Sequence, residues 1–175
     1  MVLSLFRKSV ATEHVYAVYS AIVAQSRQPR FYADWGVPDT VTGRFDMISL
    51  HLALLFRRLK GEGAAARQFS QAVFDFFFRD MDRSLREMGA GDLAVPKKIQ
   101  KMGNLFYGLL TALDDALSTG DAAAVEAVLV RNIYGGTPNA GSGPLAAYLT
   151  AQSQRLAAEP AEALLAGRIG EGVAA

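Results

Sequence analysis

The residues best suited to acid–base work lie in one short stretch, "VPDTVTGRFD" (Val37 to Asp46), with two carboxylates, Asp39 and Asp46, one arginine, Arg44, and two threonines. Two carboxylates that approach one another can act as acid and base, but that chemistry needs a nucleophile or a metal beside them, and the stretch supplies neither. A phosphate loop would need more glycines and a closing lysine. The residue types fit a helix start better. Asp39, Thr40 and Thr42 carry oxygens that cap exposed amides, and Asp46 is expected in the first turn, where the helix dipole favours an acid. Arg44 does not fit that scheme, because a cation in the first turn opposes the dipole, so it is expected to reach a carboxylate or a partner.

The chain has two histidines, His14 and His51, and no cysteine. Disulfides, thiolate zinc sites and cysteine nucleophiles are therefore excluded. His51 stands among Leu50, Leu52 and Leu54, a setting in which histidine is usually a hydrogen-bonded core residue; the functional alternative is a metal or haem held between two helices. Without a third histidine no zinc site is expected. Ser49 is two positions from His51 and so points to another side of the same helix, which rules out reading a serine triad there.

A sharper anomaly lies in "VPKKIQKMGNLFYGLLTALDDAL" (Val95 to Leu117). Lys97, Lys98 and Lys101 occupy the beginning of the expected helix and Asp114 and Asp115 its end, an order that opposes the dipole at about 0.3–1 kcal/mol per charge. Lys97 and Lys101 share one side, and with Asn104 and Gly108 they form a line along which a partner can come close. The chain's formal charge is only +1, yet residues 1–110 carry 15 Lys and Arg against 10 Asp and Glu, while residues 111–175 carry 3 against 7. That bias is modest beside a dedicated nucleic-acid binder, and no nucleic-acid partner is expected.

The elements that must position these residues read as helices throughout. With 51% hydrophobic and 20% charged residues in 175, the chain is too apolar to be disordered and long enough to bury a core. Apolar residues recur at helical spacing from about Ser9 to Gln25, Gly43 to Lys60, Ala64 to Met88, and from Pro96 through Leu117. Asp121 is expected to cap a further helix to about Ile133. The glycine-rich "YGGTPNAGSGP" (Tyr134 to Pro144) is expected to be a mobile linker to one helix to Ala158 and a shorter one after Pro160. No strand pattern occurs. The expected fold is all-α, a single-domain bundle of about five to seven helices, with residues 1–134 as the main helical unit and 135–175 as linker and extension. The longest apolar run, "MISLHLALLF", falls short of the roughly 18 to 20 residues that span a bilayer. The N-terminal "MVLSLFRKSVATEH" lacks the layout of a secretory signal, which favours a cytoplasmic location.

Two longer stretches, "FYADWGVPDTVTGRFDMISLHLALLFRRL" and "LREMGAGDLAVPKKIQKMGNLFYG", in this order and spacing, resemble the ubiquinol–cytochrome c chaperone family, from about His14 to Asn132. The resemblance implies a helical assembly factor without catalytic activity, cofactor or metal. It implies cytochrome b as the client, held until haem and partner subunits are in place. Mitochondrial members act with a second small assembly factor, and peripheral contact with the inner membrane is compatible with such a role. On this chain the expected partner surface comprises Asp39, Arg44, Asp46, Arg57, Arg58, Lys97, Lys98, Lys101, Asn104 and Tyr107. The physical counterpart is apolar surface beyond what the core needs, on the two-sided helices from Gly43 and Ala64, together with the lysines and the Arg57, Arg58 and Lys60 group. The competing expectation is a carrier of haem or a small apolar ligand, in a pocket lined by Phe74, Phe78, Met102 and Phe106 with His51 nearby.

Overall fold

The computed structural model describes residues 2–169, with side chains from residue 12 onward, as helices joined by turns, with no strand among the described residues. The helices are α1 (Val2–Ser26), α2 (Pro29–Ala33), α3 (Val41–Leu59), α4 (Gly63–Glu87), α5 (Val95–Thr119), α6 (Ala122–Asn132), α7 (Ser142–Ala158) and α8 (Ala161–Leu165).

Local chemistry sets the boundaries. Thr40 is the N-cap of α3, its hydroxyl accepting from the Gly43 amide at 3.1 Å. Gly43 is needed there because a Cβ would lie 1.9 Å from the Pro38 carbonyl oxygen. Since α3 starts at Val41 and not at Gly43, Asp46 sits in its second turn, with no acid in the first; the expected dipole role of Asp46 is thereby corrected. Pro96 lies in the first turn of α5, where its missing amide hydrogen does no harm. Gly120, at φ 71°, closes that helix, and the Asp121 carboxylate caps α6 by accepting from the Ala123 amide at 2.9 Å.

α3 is the central rod, touching α1, α4, α5 and α7. That placement explains why its apolar residues cover nearly every side: Met47, Leu50, Leu52, Leu54 and Leu55 are all buried. α4 lies between α1 and α5, so Phe77 packs inward while Phe76 meets Tyr19 on one flank and Phe78 meets Phe106 on the other. α7 belongs to the same core, with Leu145 and Leu149 fully buried against α3 and α6. The glycine-rich stretch before it, expected to be mobile, is anchored on the α2–α3 connector. The Tyr134 hydroxyl donates to the Trp35 carbonyl at 2.9 Å, and a Cβ on Gly141 would come within 1.9 Å of that same oxygen. Its glycines serve close backbone approach as well as turning, a use that composition does not distinguish from flexibility.

Candidate functional site

The interior histidine is engaged on both ring nitrogens. His51 Nδ1 lies 2.7 Å from the Met47 carbonyl and Nε2 lies 2.8 Å from the Tyr148 hydroxyl, which is 2.6 Å from Gln25 Nε2. A carbonyl only accepts, so Nδ1 carries the proton, Nε2 accepts from Tyr148, and the Tyr148 oxygen accepts from Gln25. Burial pushes the imidazole down to about 4 and keeps it neutral. No lone pair is left for a metal or haem. Nor does His51 face the rings of the expected carrier pocket: its aromatic neighbours are Phe31 and Tyr148. Phe74, Phe78 and Phe106 pack on one another with centroids 4.6 to 6.0 Å apart, filling the space between them. His14 lies on α1 beside Gly167, eleven residues before the Gln25 through which that helix joins the His51 chain.

The two acids of the opening stretch have different surroundings. Asp39 is exposed and bonded to Arg44 Nε at 2.7 Å, and that hydrogen bond holds its carboxyl below the usual range. Arg44 thus reaches the nearby carboxylate that its position called for. Asp46 is half-buried, takes no hydrogen bond or ion pair from the described residues, and is pushed by burial to about 7. Among the described residues neither carboxylate is bonded to a serine, threonine, lysine or histidine that it could activate.

The basic end of α3 is matched within the molecule. Arg57 bonds the Asp114 carboxylate and backbone carbonyl and the Ser118 hydroxyl, while Lys60 Nζ lies 2.9 Å from the second Asp114 oxygen. Lys60 and Arg57 together hold the Asp114 carboxyl low. The acid at the wrong end of α5 is therefore a counter-charge for α3. Arg58 pairs with Glu62 and donates to the Glu159 carbonyl at 2.8 and 3.1 Å. Arg57, Arg58 and Lys60 are thus engaged in holding α3 to α5 and to the end of α7.

At the other end of α5 no such matching occurs. Lys97, Lys98 and Lys101 are exposed and make no ion pair with the described residues. At 100° per residue, Lys97, Lys101, Asn104 and Gly108 form an outer ridge on α5, with Phe106, Leu109 and Leu113 turned inward and buried. A Cβ on Gly108 would meet nothing within 4 Å. Grooves flank the ridge. One, of about 530 Å³, lies between the start of α3, the end of α4 and the start of α5; it is lined by Val41, Phe45, Met88, Met102 and Leu105, with Lys98 and Lys101 on its rim. The other, of about 570 Å³, is lined by Phe56, Phe74, Tyr107 and Leu110 and rimmed by Arg57, Arg67 and Asp115. Leu105 and Tyr107, one beside each groove, are 50% and 53% exposed.

Val41, Leu93 and Leu105 are exposed without having stood out in the sequence, and Met88, the end of the apolar spacing that begins at Ala64, is exposed as well. The available signal was that Leu105 and Tyr107 bracket Phe106 and leave the inward stripe of α5. Met88 turns outward because α4 ends at Glu87 and Gly89, at φ 83°, diverts the chain.

A family model described as ubiquinol-cytochrome C chaperone matches residues 33–172. That span takes in α7 and the stretch before it, which the resemblance read from the sequence leaves outside. Among curated proteins, the ubiquinol-cytochrome c reductase complex assembly factor 1 of Mus musculus is 24% identical over 104 residues, covering 59% of this chain and 35% of that protein. The corresponding factor of Xenopus laevis is 22% identical over 116 residues, covering 66% and 58%. The chain thus spans between about a third and three fifths of the length of these relatives. The crystal structure of the Cbp3 homolog from Brucella abortus matches with a TM-score of 0.86 and 45% identity, covering 97% of this chain and 95% of that one.

Proposed function

The chain belongs to the ubiquinol-cytochrome C chaperone family, and from that premise we propose that it is a non-catalytic assembly chaperone of the cytochrome bc complex that receives newly made cytochrome b on the outer face of α5. The observation that carries this reading is the composition of that face: exposed Leu105 and Tyr107 beside an open Gly108, with an apolar groove on each side and unpaired lysines at one end. A client destined for the bilayer presents apolar helices flanked by polar loops. A surface that holds it needs apolar area beyond its own core and charge near the edge. The ridge has both, and Gly108 lets a client backbone approach closely. Lys97, Lys98, Lys101, Asn104 and Tyr107 are the contacts we assign. Asp39 with Arg44, and Asp46, lie on the neighbouring start of α3, where they border the same end of the molecule. No described helix is long and apolar enough to cross a membrane, and we assign the protein to the cytoplasmic side, where a second assembly factor has access to the remaining surface.

The test is capture of cytochrome b during its synthesis. Leu105→Glu combined with Tyr107→Glu is expected to abolish capture with helix content unchanged by circular dichroism, because both side chains are half in water already. Lys97→Glu with Lys101→Glu is expected to weaken capture severalfold. Wild-type capture by the Leu105/Tyr107 variant rejects the α5 face as the seat.

A further inference from the structure

The turn between α4 and α5, "MGAGDLAVPKK" (Met88 to Lys98), carries a feature that the client seat leaves unused. Leu93 is 92% exposed, the most of any large apolar side chain among the described residues. A lone exposed leucine is ordinary. This one is not alone. Met88, at 54% exposure, lines the groove with Val41 and Leu105 at the same end of the bundle, and Lys97 and Lys98 follow Leu93 within five residues. The two acids of the turn region share their arginines with two further acids, Glu87 and Asp80 on Arg83, and Asp92 and Asp82 on Arg86. Lys97, Lys98 and Lys101 pair with none of these acids and make no ion pair among the described residues.

A wet apolar tip and cations gathered where the helix dipole opposes them are two misplacements of opposite kind. A single environment relieves both. The interface of an anionic bilayer takes up apolar side chains at headgroup depth and offers phosphates to lysines. Geometry favours lipid over protein here, because Leu93 stands on a projecting turn. A protein partner would have to supply a matching pocket for it, whereas a fluid interface needs none. We infer that this end of the molecule docks on an anionic phospholipid surface, with Leu93 and Met88 inserted and Lys97, Lys98 and Lys101 on the headgroups. The inference stands without the client reading: the lysines and the groove that Met88 lines are shared between the two, Leu93 is not.

The experiment is co-sedimentation of the full chain with vesicles of phosphatidylcholine, alone or mixed with phosphatidylglycerol, at low and high salt. Binding is expected only to the mixed vesicles and is expected to weaken as salt rises. Leu93→Asp should lower the affinity about tenfold, from loss of an inserted leucine and gain of a like charge to the lipid. Each lysine neutralised should lower it about fivefold. Tyr16→Ser, at an exposed position of α1, should change nothing. Leu93→Trp should bind more tightly with helix content unchanged, a gain that a folding defect does not produce. Equal binding to both vesicle types, or wild-type binding by Leu93→Asp, overturns the inference. So does a Leu93→Asp variant that loses cytochrome b capture while still binding mixed vesicles, since the turn would then be a protein contact.

Discussion

Two regions of this molecule treat polarity in opposite ways. Where α1, α3 and α7 meet, Gln25, His51 and Tyr148 are buried and every one of their facing polar atoms has a partner within 2.6 to 2.8 Å. On the outer face of α5, Leu105, Tyr107 and the nearby Leu93 remain wet, and three lysines have no counter-charge among the described residues. The first region meets only the demands of folding, which penalise an unpaired buried polar group by about 1–3 kcal/mol. The second violates those demands at several adjacent positions. A violation shared by neighbours points to a surface completed by something outside the chain.

A poorly anchored α5 would leave its outer face wet for want of packing, so its core side is the first test. Phe106→Ala is expected to cost about 3–5 kcal/mol in urea unfolding, because the ring is fully buried among Phe56, Phe74, Phe77 and Phe78 and cannot be replaced by collapse. A neutral result would make Phe106 part of the binding surface.

Tyr148→Phe removes the hydroxyl between Gln25 and His51 and leaves both facing atoms unsatisfied. A loss of about 1–3 kcal/mol is expected, against almost none for Tyr107→Phe on the exposed flank of the ridge. Equal losses would erase the contrast between the two regions.

Asp46 is an exception, a half-buried carboxyl without a partner among the described residues. Its folded pKa, about 7, lies above the ordinary aspartate value, so between roughly pH 4 and 7 the folded state binds more protons than the unfolded one. Stability from this group is therefore present at low pH and lost as pH rises through 7. His51, held down to about 4, works in the opposite sense: the unfolded state takes up more protons below pH 6.5, and stability falls as pH drops toward 4. Asp46→Asn should raise stability at pH 8 by roughly 1–2 kcal/mol, with solvent access to the carboxyl reducing the full linkage value. It should also leave a profile that only rises between pH 4 and 6.5. A thermal-melt series across pH checks both.

The smallest expected effect falls on the ridge. Gly108→Ala should stabilise the chain by about 0.5–1 kcal/mol, since glycine is a poor helix residue and the added methyl has open space. Capture of cytochrome b should nevertheless fall, because the methyl occupies the closest approach of the client. A gain in both would mean that the glycine serves no partner.

Much of the frame was legible along the chain. Period-3.6 apolar spacing marks α1, α3, α4 and α5, Asp121 and Pro96 mark helix starts, and a histidine embedded in leucines reads correctly as a core residue. The partners of the charges were not legible. Nothing local pairs Arg57 with Asp114 or Arg58 with the Glu159 carbonyl, 57 and 101 positions apart. Four basic residues of one expected surface set, Arg57 and Arg58 at the end of α3 and Lys97 and Lys101 at the start of α5, look alike in sequence and differ entirely in space. Likewise the glycines of residues 135–141 read as freedom because composition carries no information about the backbone that Gly141 must pass.

By itself the sequence determined the helices and the inward face of each, since both follow from side-chain periodicity and end chemistry within a few turns. It also determined that α5 bears its charges against its own dipole, a fact of order along one helix. Only the tertiary structure decided which of those misplaced charges are compensated. Compensation depends on what lies opposite: α3 runs beside α5 so that Arg57 and Lys60 meet Asp114, while no acid among the described residues pairs with the lysines.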